Sequence, residues 1–174
     1  MRKIVLWVSV LAVCLAFTGV KVWAQKSEDI AKIPSCKYCG MDREKFNYSR
    51  MLTTYNDGSE FGACSLHCAA LDLALSLDKS PKSIQVADYN TKKLIDAEKA
   101  SWVIGGRKPG VMTKVAKWAF EKPEDATAFV KENEGKVATF DDAMRATFED
   151  MYSDVKMIRA KRAKMKEMHQ EKKP

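Results

Sequence analysis

Four cysteines in two close pairs carry the chemistry of this sequence. The first pair stands in Cys36-Lys37-Tyr38-Cys39-Gly40-Met41 and the second in Cys64-Ser65-Leu66-His67-Cys68, with 24 residues between Cys39 and Cys64. A C-x2-C spacing lets one tight turn bring two sulfurs onto one ion, and Gly40 supplies the backbone freedom such a turn needs. Cys64 and Cys68, four apart at an expected helix start, project from one face of its first turn. His67, three residues after Cys64, is assigned to the same face. A helix N-terminus favours thiolate over thiol, and thiolate is the form that binds metal. The candidate ligands are therefore Cys36, Cys39, Cys64 and Cys68, joined by His67 and by Met41, two residues beyond Cys39.

Ligand softness narrows the ion. Four thiolates suit a structural Zn(II), whereas thiolates with thioethers suit Cu(I). The plainer readings are a core side chain for Met41 and a helix-surface residue for His67. Two other readings of the cysteines stay open. An even set of four in an exported chain is usually two disulfides, and a C-x2-C pair also serves thiol–disulfide oxidoreductases. The redox reading wants a β-α-β unit before the motif and a helix opening at Cys39, and the sequence offers neither clearly.

The elements that must position these residues follow from periodicity. Residues 25–35 are polar, end near Pro34 and read as a linker. Arg50 to Tyr55 is rich in β-branched and aromatic residues and predicts a strand, Asn56-Asp57-Gly58 a hairpin turn, and Glu60 to Ala63 the return strand. Ser65 to Leu77 predicts a helix stopped before Pro81, and Ser83 to Tyr89 a further strand. The same order then recurs without cysteines. Ala100 to Ile104 and Lys117 to Phe120 are strands, a helix starts at Pro123 and stops at Gly135, and Lys136 to Phe140 is a last strand. The expected fold is α+β: two small packed β-β-α-β units (36–98, treble-clef-like around the cysteines, and 99–140) followed by an amphipathic helix. Met144, Phe148, Met151, Val155 and Ile158 form the helix's apolar stripe over 141–158. Residues 159–174 lose that stripe and read as a basic, flexible tail, a frayed helix or disordered chain.

The N-terminus predicts export. Arg2 and Lys3 precede an apolar run from Ile4 to Phe17, and Ala24 before Gln25 gives a cleavage point, so residues 1–24 are an expected signal peptide. A periplasmic or secreted chain follows. Cys14, preceded by Leu11-Ala12-Val13, offers a partial lipobox and a secondary expectation of lipid anchoring. The net charge of +7 is unevenly spread. The leader's Arg2, Lys3 and Lys21 account for three, and residues 156–174, with eight Lys/Arg against Glu167 and Glu171, for six, leaving the body acidic. A body without a basic face excludes nucleic acid as partner, while the basic tail suits an anionic membrane surface or an acidic partner.

Resemblance adds to this. Cys36 to Met41, a hairpin, and then Cys64 to Cys68 resemble YHS/TRASH-type metal-binding modules. Trp102-Val103-Ile104-Gly105-Gly106, Pro109-Gly110-Val111-Met112, Trp118-Ala119-Phe120 and Glu124-Asp125-Ala126-Thr127-Ala128-Phe129 are similar to the NosL family. That resemblance spans residues 35–145 and implies two small related domains and a periplasmic Cu(I) chaperone, an accessory protein of nitrous oxide reductase, rather than an enzyme. It also implies thioether roles for Met41, which matches the family's Cys-Gly-Met, and for Met112, which follows Pro-Gly in the second domain. The Cys64/Cys68 pair is not shared by every member, so the expected partner is a client cuproprotein or its maturation machinery. Met157, Met165, Met168 and His169 resemble the sparse Met/His tracts of exported copper proteins, although methionines scattered on a charged helix are the plainer reading.

Overall fold

The computed structural model describes residues 27–171. The expected signal peptide, its Ala24/Gln25 cleavage point and Cys14 lie outside the described residues. In chain order the elements are α1 (Glu28–Lys32), β1 (Met51–Tyr55), β2 (Glu60–Ala63), α2 (Leu66–Leu75), β3 (Pro81–Ala87), β4 (Leu94–Asp96), β5 (Ser101–Ile104), β6 (Lys117–Phe120), α3 (Pro123–Asn133), β7 (Lys136–Ala138) and α4 (Phe140–Glu171). They form two antiparallel sheets, β2-β1-β3-β4 and β6-β5-β7. The α+β fold of two β-β-α-β units and a C-terminal helix is as the sequence pattern predicts, with α1 and β4 added to the first unit.

Local chemistry accounts for the boundaries. Gly58 (φ +81°) takes the left-handed position of the β1–β2 turn, and the Asp57 carboxylate accepts from the Ser59 N–H and hydroxyl at 2.8 and 2.6 Å. Pro123 opens α3 with Glu124 and Asp125 in its first turn, where the helix dipole favours acids.

The stretch that reads as a linker instead carries α1, and the reason is a buried ion cluster. Asp29 accepts from the Arg43 guanidinium at 2.8 Å and from Arg50 at 2.9 and 3.1 Å. Arg43 is wholly buried and directs its other donors at the carbonyls of Asp29, Ile33, Met51 and Ala63. Gly62 makes room for it, since a Cβ there would stand 2.7 Å from the guanidinium carbon. With Ile30 buried beside it, α1 is tied to β1 and β2 through polar groups that a hydropathy pattern does not reveal.

The two units are joined at Asp88, just past β3. Its buried carboxylate accepts from the backbone N–H groups of Thr91 (2.6 Å) and Glu121 (2.8 Å), and Tyr89 N–H donates to the Ala119 carbonyl of β6 at 2.8 Å. Tyr89 then packs on Trp118, Phe120 and Phe129 with ring centroids 5.3, 5.7 and 5.1 Å away.

α4 differs from expectation in two ways. Its buried face is Phe140, Ala143, Thr147 and Asp154, while Phe148 of the expected stripe is 48% exposed. Polar anchors set this rotation. Lys114 N–H donates to Asp154 at 3.0 Å and Lys117 pairs with Asp150 at 2.5 Å, while Thr147 satisfies its hydroxyl within the helix by donating to the Ala143 carbonyl at 2.7 Å. The helix also continues past Ile158 to Glu171. Ala, Lys, Arg, Met and Glu are all strong helix formers, and the pattern of burial is no guide to them.

Candidate metal centre

Three elements bring the four cysteines together. Residues 36–41 form a knuckle in which Gly40 N–H donates to the Cys36 carbonyl at 2.7 Å and Cys36 N–H to the Met41 carbonyl at 2.9 Å. Gly40 makes this turn possible at φ +71°. The backbone N–H groups of Cys39 and Met41 favour the thiolate forms of Cys36 and Cys39 respectively. β2 delivers Cys64, and the first turn of α2 delivers Cys68. Tyr38 locks the knuckle to α2 by donating to Asp72 at 2.9 Å, and Tyr55 of β1 donates to the other Asp72 oxygen. Burial first and Asp72 second push both tyrosine hydroxyls up to about 12, so they stay protonated donors.

The four Sγ atoms all lie within 4.8 Å of one another. Cys39 and Cys64 stand 3.3 Å apart and Cys64 and Cys68 3.8 Å apart, and all four are free thiols. This is convergence on one point rather than pairing two and two. Cys36, Cys64 and Cys68 are buried, and Cys39 alone is partly open to solvent. The cluster favours thiolate on the knuckle pair, Cys36 and Cys39, and resists it on Cys64 and Cys68. Hydrogen bonds from Cys39 first, then Cys64 and Cys68, hold Cys36 far below the ordinary thiol range. Contacts with Cys36 first and Cys39 second push Cys64 and Cys68 far above it. A soft cation among the sulfurs removes that opposition, because it neutralises the charge that burial and mutual repulsion penalise. The donor set fits such an ion.

Met41 and Met112 meet at one cleft beside Cys39. Both line a cleft of ≈ 320 Å³ together with Cys39, Phe46, Met157 and Met165. Met112 holds φ +62°, a left-handed backbone that a residue with a Cβ adopts at a cost of about 1–2 kcal/mol. Strain of this kind concentrates where a side chain must be aimed.

His67 goes elsewhere. It is buried with its Nδ1 3.6 Å from Asp154 of α4, beyond hydrogen-bond reach, and it is not part of the sulfur group. Because α2 begins at Leu66 with Ser65 as its N-cap, Cys64 precedes the helix, and a three-residue count from it assigns no face. Measured from Cys68, its neighbour, His67 is rotated about 100° around the axis. Burial, partly offset by Asp154, pulls the imidazole below its ordinary range and keeps it neutral. What the sequence did not place is the second half of α4: Met157, Met165 and Arg162 face the knuckle, and the Arg162 guanidinium donates to the Cys39 carbonyl at 3.0 Å. The sparse methionine tract was the only signal for it.

Comparison with known proteins gives the family and the fold. A model of the NosL family matches residues 28–148. The chain belongs to the NosL family. Among solved structures, the copper chaperone NosL from Shewanella denitrificans superposes with a TM-score of 0.50 at 22% identity, covering 62% of this chain and 87% of that one. Comparison with curated protein sequences gives no match. The structural likeness fixes the fold shared with that NosL, and the four-cysteine group is a place where this chain can hold a metal ion. Among the described residues, no helix is long and apolar enough to cross a membrane.

Proposed function

We propose that this NosL-family chain is an exported carrier that binds Cu(I) through cysteine and methionine sulfurs and hands it to a client cuproprotein or its maturation machinery. The observation that carries the reading is the shared cleft of Cys39, Met41 and Met112, which opens beside the enclosed sulfurs of Cys36, Cys64 and Cys68. A carrier needs an ion that is held yet reachable. Cys39 supplies negative charge at the rim, and the neutral thioethers add soft contact without a proton to displace. Cu(I) binding at the Cys39 thiolate or at the Met41 and Met112 thioethers releases no proton. Transfer is then an exchange of sulfur ligands at an ion that stays Cu(I), so no electron is exchanged. Six sulfurs exceed what one Cu(I) takes, and the three buried thiols serve as its inner support or hold the fold.

A second reading has its own observation. Four mutually close cysteines, three of them buried, also suit a closed tetrathiolate Zn(II) site, which would make this a structural zinc module for protein interaction. The thiol–disulfide oxidoreductase reading gains nothing from the geometry, because Cys39 leads into a left-handed Gly40 rather than a helix.

The test is an anaerobic titration of the reduced chain (25–174) with Cu(I) and Zn(II) against chelators, with the stoichiometry read by native mass spectrometry. Tight Cu(I) binding, weakened about tenfold or more by Met41→Leu or Met112→Leu, is expected, each such step being about 1.4 kcal/mol. Zn(II) that Cu(I) cannot displace, with both Leu variants silent, would leave the zinc reading in its place. Turnover of a dithiol substrate would favour the oxidoreductase.

A further inference from the structure

The C-terminal half of α4 lies beyond the residues matched by the family and carries sulfur of its own. Met157 and Met165 line the same cleft as Cys39, Met41 and Met112, and Arg162 binds the Cys39 carbonyl, fixing the helix over the knuckle. Two magnitudes decide what these methionines do. Eight residues of helix separate their Cα atoms by about 12 Å, so they do not converge on one ion as the four cysteines do. Lys161 and Arg162 line the cleft between them, and two positive charges beside neutral thioethers oppose any long stay of a cation there. Soft contacts that are spaced apart and electrostatically weak suit passage rather than storage.

We propose that Met157 and Met165 form a thioether path along α4, by which Cu(I) moves between solvent or client and the Cys39–Met41–Met112 site. This rests on the Cu(I) reading above and deepens it. Each step makes one Cu–S(thioether) bond and breaks another, with no redox change and no proton released. The methionines lower the barrier between bound and free ion without contributing to the resting complex.

The test separates rate from equilibrium. Reduced chain (25–174) loaded with one Cu(I) is mixed with bathocuproine disulfonate in a stopped-flow instrument, and the affinity is measured by equilibrium competition with the same chelator. Met157→Leu/Met165→Leu is expected to slow release about tenfold, equivalent to about 1.4 kcal/mol in the barrier, with affinity unchanged within about twofold. Met168→Leu, a surface methionine outside the cleft lining, is the control and leaves both unchanged. Circular dichroism of the double variant confirms that α4 is intact. An unchanged release rate overturns the path while leaving the Cu(I) reading standing, provided Met41→Leu and Met112→Leu still weaken binding. Faster release with an affinity weakened in proportion overturns it in favour of resident ligands. A parent chain that takes up no Cu(I) removes both proposals together.

Discussion

Gly40 and Gly62 stand near cysteines in the sequence, and the fold needs them for different reasons. Gly40 occupies a left-handed turn with open space around it, so Gly40→Ala should cost only the backbone penalty, about 1–2 kcal/mol. Gly62 faces Arg43, which five hydrogen bonds hold in place and which therefore cannot retreat from a methyl group. Gly62→Ala should cost about 3 kcal/mol or more, combining overpacking with damage to a buried ion cluster. Urea unfolding of the reduced, metal-free chain compares the two, and a smaller loss at Gly62 would contradict the role given to Arg43. The same scale shows what was legible. The C-x2-C-Gly knuckle could be read from the sequence because every contact that forms it is local. His67 could not be placed, since its direction depends on a helix starting at Leu66 rather than at Cys64. The left-handed backbone of Met112 has no sequence signature at all, and its importance came from resemblance.

At the scale of elements, strands and helices were legible wherever turn residues bound a periodic run, as at Asn56-Asp57-Gly58 or Pro123 and Gly135. α1 and β4 were not. α1 is five residues long and held by an Asp29 ion cluster, and β4 is three residues long, too short for alternation to be seen. α4 was legible as a helix but not in its rotation, because Thr147 and Asp154 occupy the centre of its buried face. That rotation reverses a mutational expectation. From the stripe alone, Phe148→Ser would be damaging and Ala143→Leu harmless. With Phe148 exposed and Ala143 fully buried, Phe148→Ser should change stability by no more than about 0.5 kcal/mol, while Ala143→Leu should cost about 1–3 kcal/mol through overpacking. Thermal unfolding of the two variants decides between the faces. α2 gives a second test. Tyr55→Phe removes one of the two hydroxyls that Asp72 accepts, a bond to a charged group worth about 1.5–3 kcal/mol. Its loss should lower the melting temperature and loosen the turn that presents Cys68.

At the scale of the whole molecule, the metal centre depends on a polar cluster that lies outside it. Asp29 joins α1 to Arg43 and Arg50, Arg43 reaches the carbonyls flanking β1 and β2, and Arg50 reaches Asn47 and Lys92. The knuckle is therefore braced from behind by one carboxylate. Burial alone would raise the Asp29 carboxyl above its usual 3.8, but the hydrogen bonds and charges of Arg50 and Arg43 more than offset burial and hold it below. The sign follows from linkage. The unfolded chain takes up this proton at a higher pH than the folded chain, so the Asp29 contribution is fully present above the ordinary carboxylate range and is lost as pH falls through the lowered native value. Asp29→Asn leaves two buried guanidinium groups without a counter-charge and should cost about 3–5 kcal/mol near neutral pH. Other carboxylates held low, Asp57, Asp88 and Asp142, also weaken the fold in acid, so the parent chain alone does not isolate the effect. The difference between parent and Asp29→Asn does. Measured by urea unfolding of the reduced, metal-free proteins, that difference should be largest near pH ~7 and shrink steadily below pH ~4. A gap that stays constant into acid would mean that Asp29 supports α1 by shape rather than by charge.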